Sequence, residues 1–137
     1  MTAEQNRKVV ETIVTALSNR DMDTVLAHVH DKGTWSVPYR TDRFPYGIKT
    51  KVEFGERAAA FFSTFSKFEM RPESIIAEGD RVAVEATTVG VGRGGEKYSN
   101  IYHISFVMKD GKAYRVLEFF DPFPALDYLE QIRRPLP

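Results

Sequence analysis

Apolar residues recur at helical spacing from Val9 and Val10 through Ile13 and Val14 to Leu17, which predicts one amphipathic helix ending near Leu17 or Ser18. Its start is marked by Thr2-Ala3-Glu4-Gln5. This is a capping box, in which a threonine hydroxyl and a glutamine side chain satisfy amides left free at a helix start. Asn19-Arg20-Asp21 breaks the stripe. A short second helix is expected next, capped by Asp21 or Asp23 and burying Val25, Leu26 and Val29. His28 and His30, two apart, point to different sides of such a helix and make a poor ligand pair. Thr34-Trp35-Ser36-Val37-Pro38 reads as a short strand stopped by proline, followed by a polar and aromatic loop from Tyr39 through Gly47. At Thr50-Lys51-Val52-Glu53 a second capping box opens a helix whose Ala58, Phe61, Phe62 and Phe65 form an aromatic stripe. Gly55 inside that helix costs on the order of 1 kcal/mol relative to alanine, so packing must hold the helix together.

From Phe68 onward the period becomes strand-like. Residues 68–77, 81–91, 97–108 and 113–120 are four strand candidates, separated by Glu78-Gly79-Asp80, Gly92-Arg93-Gly94-Gly95 and Lys109-Asp110-Gly111-Lys112. Pro72 makes the first of them an edge strand or one interrupted by a bulge. Short turns between long strands imply antiparallel neighbours. Asp121-Pro122-Phe123-Pro124 then starts a terminal helix to about Arg133, with Leu126, Leu129 and Ile132 on its buried side. The result is an α+β architecture, with helices covering one face of a curved antiparallel sheet.

The stretch from Lys97 to Asp121, KYSNIYHISFVMKDGKAYRVLEFFD, is the place to look for a site. Its hairpin can close in two ways. If Asp110 and Gly111 alone form the loop, Lys109 pairs with Lys112 and Glu118 falls opposite His103. If Lys109-Asp110-Gly111 form a three-residue loop, Met108 pairs with Lys112 and Glu118 falls opposite Tyr102. The apolar pattern favours the second closure. It gathers Tyr102, Ile104, Phe106, Met108, Tyr114 and Val116 on one face and Ser99, His103, Ser105 and Arg115 on the other. Asn100, Tyr102, Glu118 and Phe120 then share the inner face. Ile101, Val107, Leu117 and Phe119 point outward, an apolar band that a homodimer built sheet against sheet would cover.

Composition narrows the classes. The 137 residues suffice for a single domain spanning 1–137 with its own core. Nineteen basic and nineteen acidic residues balance without a run of like charge, so nucleic acid and anionic membrane are poor partners. The absence of cysteine excludes disulfides, thiol nucleophiles and thiolate metal sites. No segment has signal-peptide or membrane-span character, and a cytoplasmic protein is the expectation.

The order of elements resembles the SnoaL-like, polyketide-cyclase-like branch of the nuclear transport factor 2-like, ketosteroid-isomerase-like superfamily. The residues that carry the likeness are HDKGTWSVP, GDRVAVE and the stretch ending in LEFFD. The resemblance covers nearly the whole chain. It implies a cone-shaped sheet wrapped on N-terminal helices, a deep apolar pocket at the open end, frequent dimers, and chemistry that differs between members. Ketosteroid isomerases carry a general-base aspartate and a tyrosine donor where Val37 and Ile13 stand here, so that mechanism is disfavoured. Limonene-epoxide-hydrolase-like members hold water with an Asp-Arg-Asp group and a Tyr/Asn pair. Here Glu118 matches one carboxylate, while Ala86, Thr88, Trp35 and Val37 stand at the other four positions. Epoxide hydrolysis is disfavoured too, unless a shift in the alignment brings in Glu85.

Glu118 is the leading candidate. A carboxylate facing an apolar pocket has its charged form disfavoured, which suits general acid or base work; the plain alternative is a partly exposed glutamate bonded to Tyr102 or a nearby amide. Tyr102 and Asn100 could stabilise an oxyanion, and could equally be satisfied structural groups. Trp35, Val37, Phe61, Phe65, Ala86, Thr88 and Phe120 are candidate pocket walls. His103 pairs with Glu118 only in the two-residue closure, and Asp121 before Pro122 reads better as a helix cap. Glu85 is expected to point outward. The expected function is a cofactor-free isomerase, cyclase or dehydratase acting on a small, mostly apolar carbonyl compound, with no metal. The alternatives are a non-catalytic binder of a small hydrophobic molecule and a dimerisation module with the same fold.

Overall fold

Both capping boxes form. In the computed structural model, which describes residues 1–40 and 49–133, Thr2 and Thr50 each accept the backbone N–H three residues on, and the side chains of Gln5 and Glu53 return the bond. The expected loop ending at Gly47 lies outside the described residues from position 41. Helix α1 spans Ala3–Ser18 and buries Val10, Ile13, Val14 and Leu17. Helix α2 (Met22–Ala27) is capped by Asp21, whose carboxylate accepts from the Thr24 N–H, and it buries Val25. Val29, expected on this helix, instead opens strand β1 (Val29–Ser36), so His30 also lies on a strand. Helix α3 is Lys51–Ser63. Its glycine has a packing reason: a Cβ on Gly55 would come 2.9 Å from Leu26 Cδ1, so its absence lets α2 lie close. Phe65, read as part of the helical stripe, starts strand β2, since the helix ends with its cap at Thr64.

Strands β2 (Phe65–Glu78), β3 (Arg81–Gly92), β4 (Lys97–Lys109) and β5 (Lys112–Phe120) form antiparallel neighbours, and β1 adds in parallel beside β5, making the sheet mixed. The order is β1-β5-β4-β3-β2. Pro72 satisfies both expectations at once, since β2 is an edge strand and its register shifts between Pro72 and Ser74. Helix α1 packs on β2 and β3, α3 on β1, and α4 (Pro122–Arg133) on β4. The most buried residues of α4 are Ala125 and Tyr128, the latter stacked on Phe65 with centroids 4.7 Å apart, while the expected Leu126, Leu129 and Ile132 are half-buried, Ile132 against the same cluster and Leu129 in the cavity wall.

The hairpin combines features of both expected closures. Asp110 (φ 53°) and Gly111 (φ 74°) make a two-residue turn with both central residues left-handed, which matches strand twist. Lys109 pairs with Lys112 and Met108 with Ala113, but Val107 pairs with Arg115. Tyr114 is therefore an extra residue, a bulge. It leaves the inner face, where it was expected, and sits half-buried with its ring 5.1 Å from His30 and the Lys109 ammonium 4.8 Å above it. Beyond the bulge Glu118 pairs with Ile104, and Phe120 with Tyr102. Glu118 faces neither Tyr102 nor His103 directly. The facial assignment nevertheless holds: Asn100, Tyr102, Ile104, Phe106, Met108 and Val116 are buried, while His103, Arg115 and Glu85 are exposed.

Candidate active site

The cavity between α3, α4 and the inner face of the sheet encloses about 590 Å³. Trp35, Val37, Phe61, Tyr102, Glu118 and Phe120 line it, as expected, with most of the remaining wall apolar. Phe65, Ala86 and Thr88 do not. Phe65 is consumed by a second cluster with Tyr98, Ala125 and Tyr128, and Ala86 and Thr88 lie buried on β3 opposite Tyr102 and Asn100.

Glu118 is half-buried in this wall. Among the described residues the Trp35 indole is its one hydrogen-bond donor, Nε1 to Oε1 at 3.1 Å. Trp35 is fixed in turn, stacked on Phe54 at 4.2 Å and edge-on to Phe106 at 5.6 Å. Burial raises the Glu118 carboxyl to about 7, and the indole N–H offsets part of that rise. Removing a carboxylate from water with only one donor to replace its hydration disfavours the charged form. At neutral pH Glu118 is thus poised to accept or give a proton.

Beside it lies a pair of phenols. The hydroxyls of Tyr98 and Tyr102 are 2.5 Å apart, and Asn100 Nδ2 donates to the Tyr98 oxygen at 2.8 Å. Both phenols are pushed up, Tyr98 to about 12, principally by burial, and both feel the Glu118 charge. They remain protonated donors at any ordinary pH. The Thr88 hydroxyl, buried opposite Asn100, offsets part of the rise at Tyr102. Asn100, expected beside the substrate, is occupied elsewhere: Nδ2 also donates to the Asp121 carbonyl at 2.9 Å, and Oδ1 accepts the backbone N–H groups of Ile101 and Asp121 at 2.8 and 3.1 Å. It fixes the end of β5 to β4 and supports Tyr98 from behind. Asp121 accepts the Phe123 N–H at 3.1 Å, the geometry of a cap for α4. His103 pairs with Phe119 on the outer face, away from the cavity.

Sequence reasoning did not single out Tyr98, Arg57, Tyr39 or Lys49. Tyr98 shares the face of Asn100 and Tyr102 by simple alternation, so its signal was present. Arg57 lines the cavity three residues after Phe54 and four before Phe61, a helical spacing that was equally legible. Tyr39 had no local signal. Its hydroxyl accepts from the Phe120 N–H at 2.6 Å and donates to the Phe120 carbonyl, so beyond the end of β1 a side chain takes the place of a strand partner. Among the described residues no group of His, Asp and Glu could hold a metal ion, and no helix is long and apolar enough to cross a membrane.

Solved structures share this architecture. TerC, crystallised with polyporic acid, superposes with a TM-score of 0.77 at 23% identity, covering 92% of this chain and 98% of its own. IdmH from Streptomyces antibioticus, a candidate polyketide cyclase, gives 0.76 at 15%, covering 92% and 99%. An LEH-like epoxide hydrolase from M. tuberculosis gives 0.73 at 20%, covering 95% and 96%. At these identities the likeness establishes the fold. No curated protein matches the chain. The sequence pattern of the SnoaL-like domain, however, matches residues 10–116, from within α1 into β5, and the chain belongs to the SnoaL-like domain family.

Proposed function

We propose that the protein is a cofactor-independent enzyme that moves a proton on a small hydrophobic carbonyl compound, as an isomerase, cyclase or dehydratase. The observation that carries this reading is the Glu118 carboxyl, held among the described residues by one indole N–H in a mostly apolar cavity beside two protonated phenols. As carboxylate, Glu118 takes a proton from the carbon next to the carbonyl. The C–H pair becomes the enolate C=C, and the carbonyl oxygen gains the charge. A phenol donates a hydrogen bond to that oxygen. Asn100 already donates to Tyr98, so a Tyr98 O–H directed at Tyr102 leaves the Tyr102 proton free for the substrate. Protonated Glu118 then returns the proton to another carbon, or to a departing hydroxyl, completing isomerisation or dehydration. TerC was crystallised with polyporic acid and IdmH is a candidate polyketide cyclase, and a cavity of about 590 Å³ is of the size that takes a small molecule.

The test follows hydrogen–deuterium exchange at the α-carbon of aryl ketones and aryl β-keto esters in D2O by NMR, with wild type and Glu118→Gln. Wild type is expected to accelerate exchange with a rate rising through about pH 7, and the variant to lose roughly a hundredfold or more. Binding of these compounds with no exchange would overturn catalysis and leave a ligand-binding protein.

A further inference from the structure

Two basic side chains, Lys49 and Arg57, also line the cavity, and Glu118 is the acidic one among its described walls. Arg57 is exposed and Lys49 half-exposed, so both stand at the mouth, whereas Trp35 and Tyr102 are buried. Neither basic group closes an ion pair with a carboxylate of the described residues. The nearby Glu53 feels both charges, but its carboxylate is tied to the Thr50 N–H in the capping box.

Their placement is built into the same scaffold that positions Glu118. The Trp35 backbone N–H donates to the Lys49 carbonyl at 3.0 Å, and the Lys49 backbone N–H donates to Ser36 Oγ at 3.2 Å. Lys49 is therefore fixed against the end of β1, beside the tryptophan that holds Glu118. Arg57 lies on the face of α3 that carries Phe54, which stacks on the same tryptophan. The same tryptophan thus ties the backbone at the cationic mouth to the acid within.

We infer that the substrate carries a carboxylate, which Lys49 and Arg57 hold at the mouth while the apolar body bearing the carbonyl reaches Glu118. This rests on the reading of the cavity as the substrate site. The polarity follows from cost: an anion carried to the interior would lose its hydration and meet Glu118, whereas at the mouth it stays partly hydrated between two cations. Anchoring one end also orients the reacting carbon, as a positioning contact should.

The experiment compares dansylglycine with its neutral amide, dansylglycinamide, by fluorescence titration of the purified protein at low and high salt. The acid is expected to bind roughly tenfold tighter at low salt, an advantage that shrinks as salt screens the mouth. The double variant Lys49→Gln, Arg57→Gln should abolish the preference and leave the amide within about twofold, while Arg57→Lys should retain most of it. Equal binding of acid and amide to wild type, or equal weakening of both in the double variant, overturns the inference and leaves the cavity reading standing. Failure of both probes to bind overturns the two together.

Discussion

Glu118→Gln should make the protein more stable, and only above about pH 5. The amide keeps an oxygen to accept the Trp35 N–H but cannot ionise. In wild type the carboxyl rises from its ordinary 4.5 to about 7, which corresponds to about 3 kcal/mol at 1.36 kcal/mol per decade. The sign follows from the direction. A carboxyl raised in the folded state binds its proton more tightly there, so its contribution is intact below pH 4.5 and is lost as pH climbs through about 7. Wild type therefore falls relative to the variant across that window, and above it the gap stays constant. Urea unfolding of both proteins at matched pH values from acid to about 8.5 isolates this difference, because every other titrating group is common to the pair. The variant should lead by about 3 kcal/mol at the alkaline end and by little or nothing near pH 4.5, with a gap in Tm of roughly 10 °C. A gap independent of pH would refute the assignment, as would a Glu118 carboxyl titrating near 4.5 by carbon NMR.

Two further outcomes test the scaffold. Gly33→Ala should destabilise by about 2 kcal/mol in urea, because its Cβ would lie 2.8 Å from the His30 carbonyl and 3.0 Å from that of Ala113, backbone atoms that cannot swing aside. On the outer sheet face Ile101 is 64% exposed and Phe119 39%, so wild type should sediment at twice the monomer mass and Ile101→Lys at the monomer mass; a monomeric wild type would remove the dimer reading.

What was legible in the chain was local or periodic. Both capping boxes, the Asp121 cap, the Pro72 disturbance and the alternation of β4 follow from residues within a few positions of one another, and each formed. Within β4 alternation puts Tyr98, Asn100 and Tyr102 on one face, and the apolar pattern of the two strands assigned Glu118 to the same face. The errors came from contacts distant in sequence. Phe65 could not announce its stacking on Tyr128, 63 positions away, nor Tyr39 its clamp on Phe120. Asn100 looked available because its partners at Asp121 belong to another strand's end.

The hairpin explains why a wrong turn gave a right face. A two-residue turn carried through without interruption would have paired Tyr102 with Phe119, turning Arg115, Leu117 and Phe119 inward and Val116, Glu118 and Phe120 outward. That arrangement buries the Arg115 guanidinium among Ile104, Phe106 and Met108, a cost of several kcal/mol, while the apolar exchange of Val116 and Phe120 for Leu117 and Phe119 is about neutral. The turn itself, however, is favoured by Asp110 and Gly111, whose left-handed conformations suit a two-residue loop. Both demands are met by placing one unpaired residue at Tyr114. Its backbone leaves the ladder while its ring stays covered by His30 and Lys109. The single-residue bulge restores the parity that the turn inverts, and it delivers Glu118 to the Trp35 indole instead of to His103 on the outer face. The placement of Glu118 in the cavity wall therefore depends on a residue four positions away, Tyr114, which is absent from that wall.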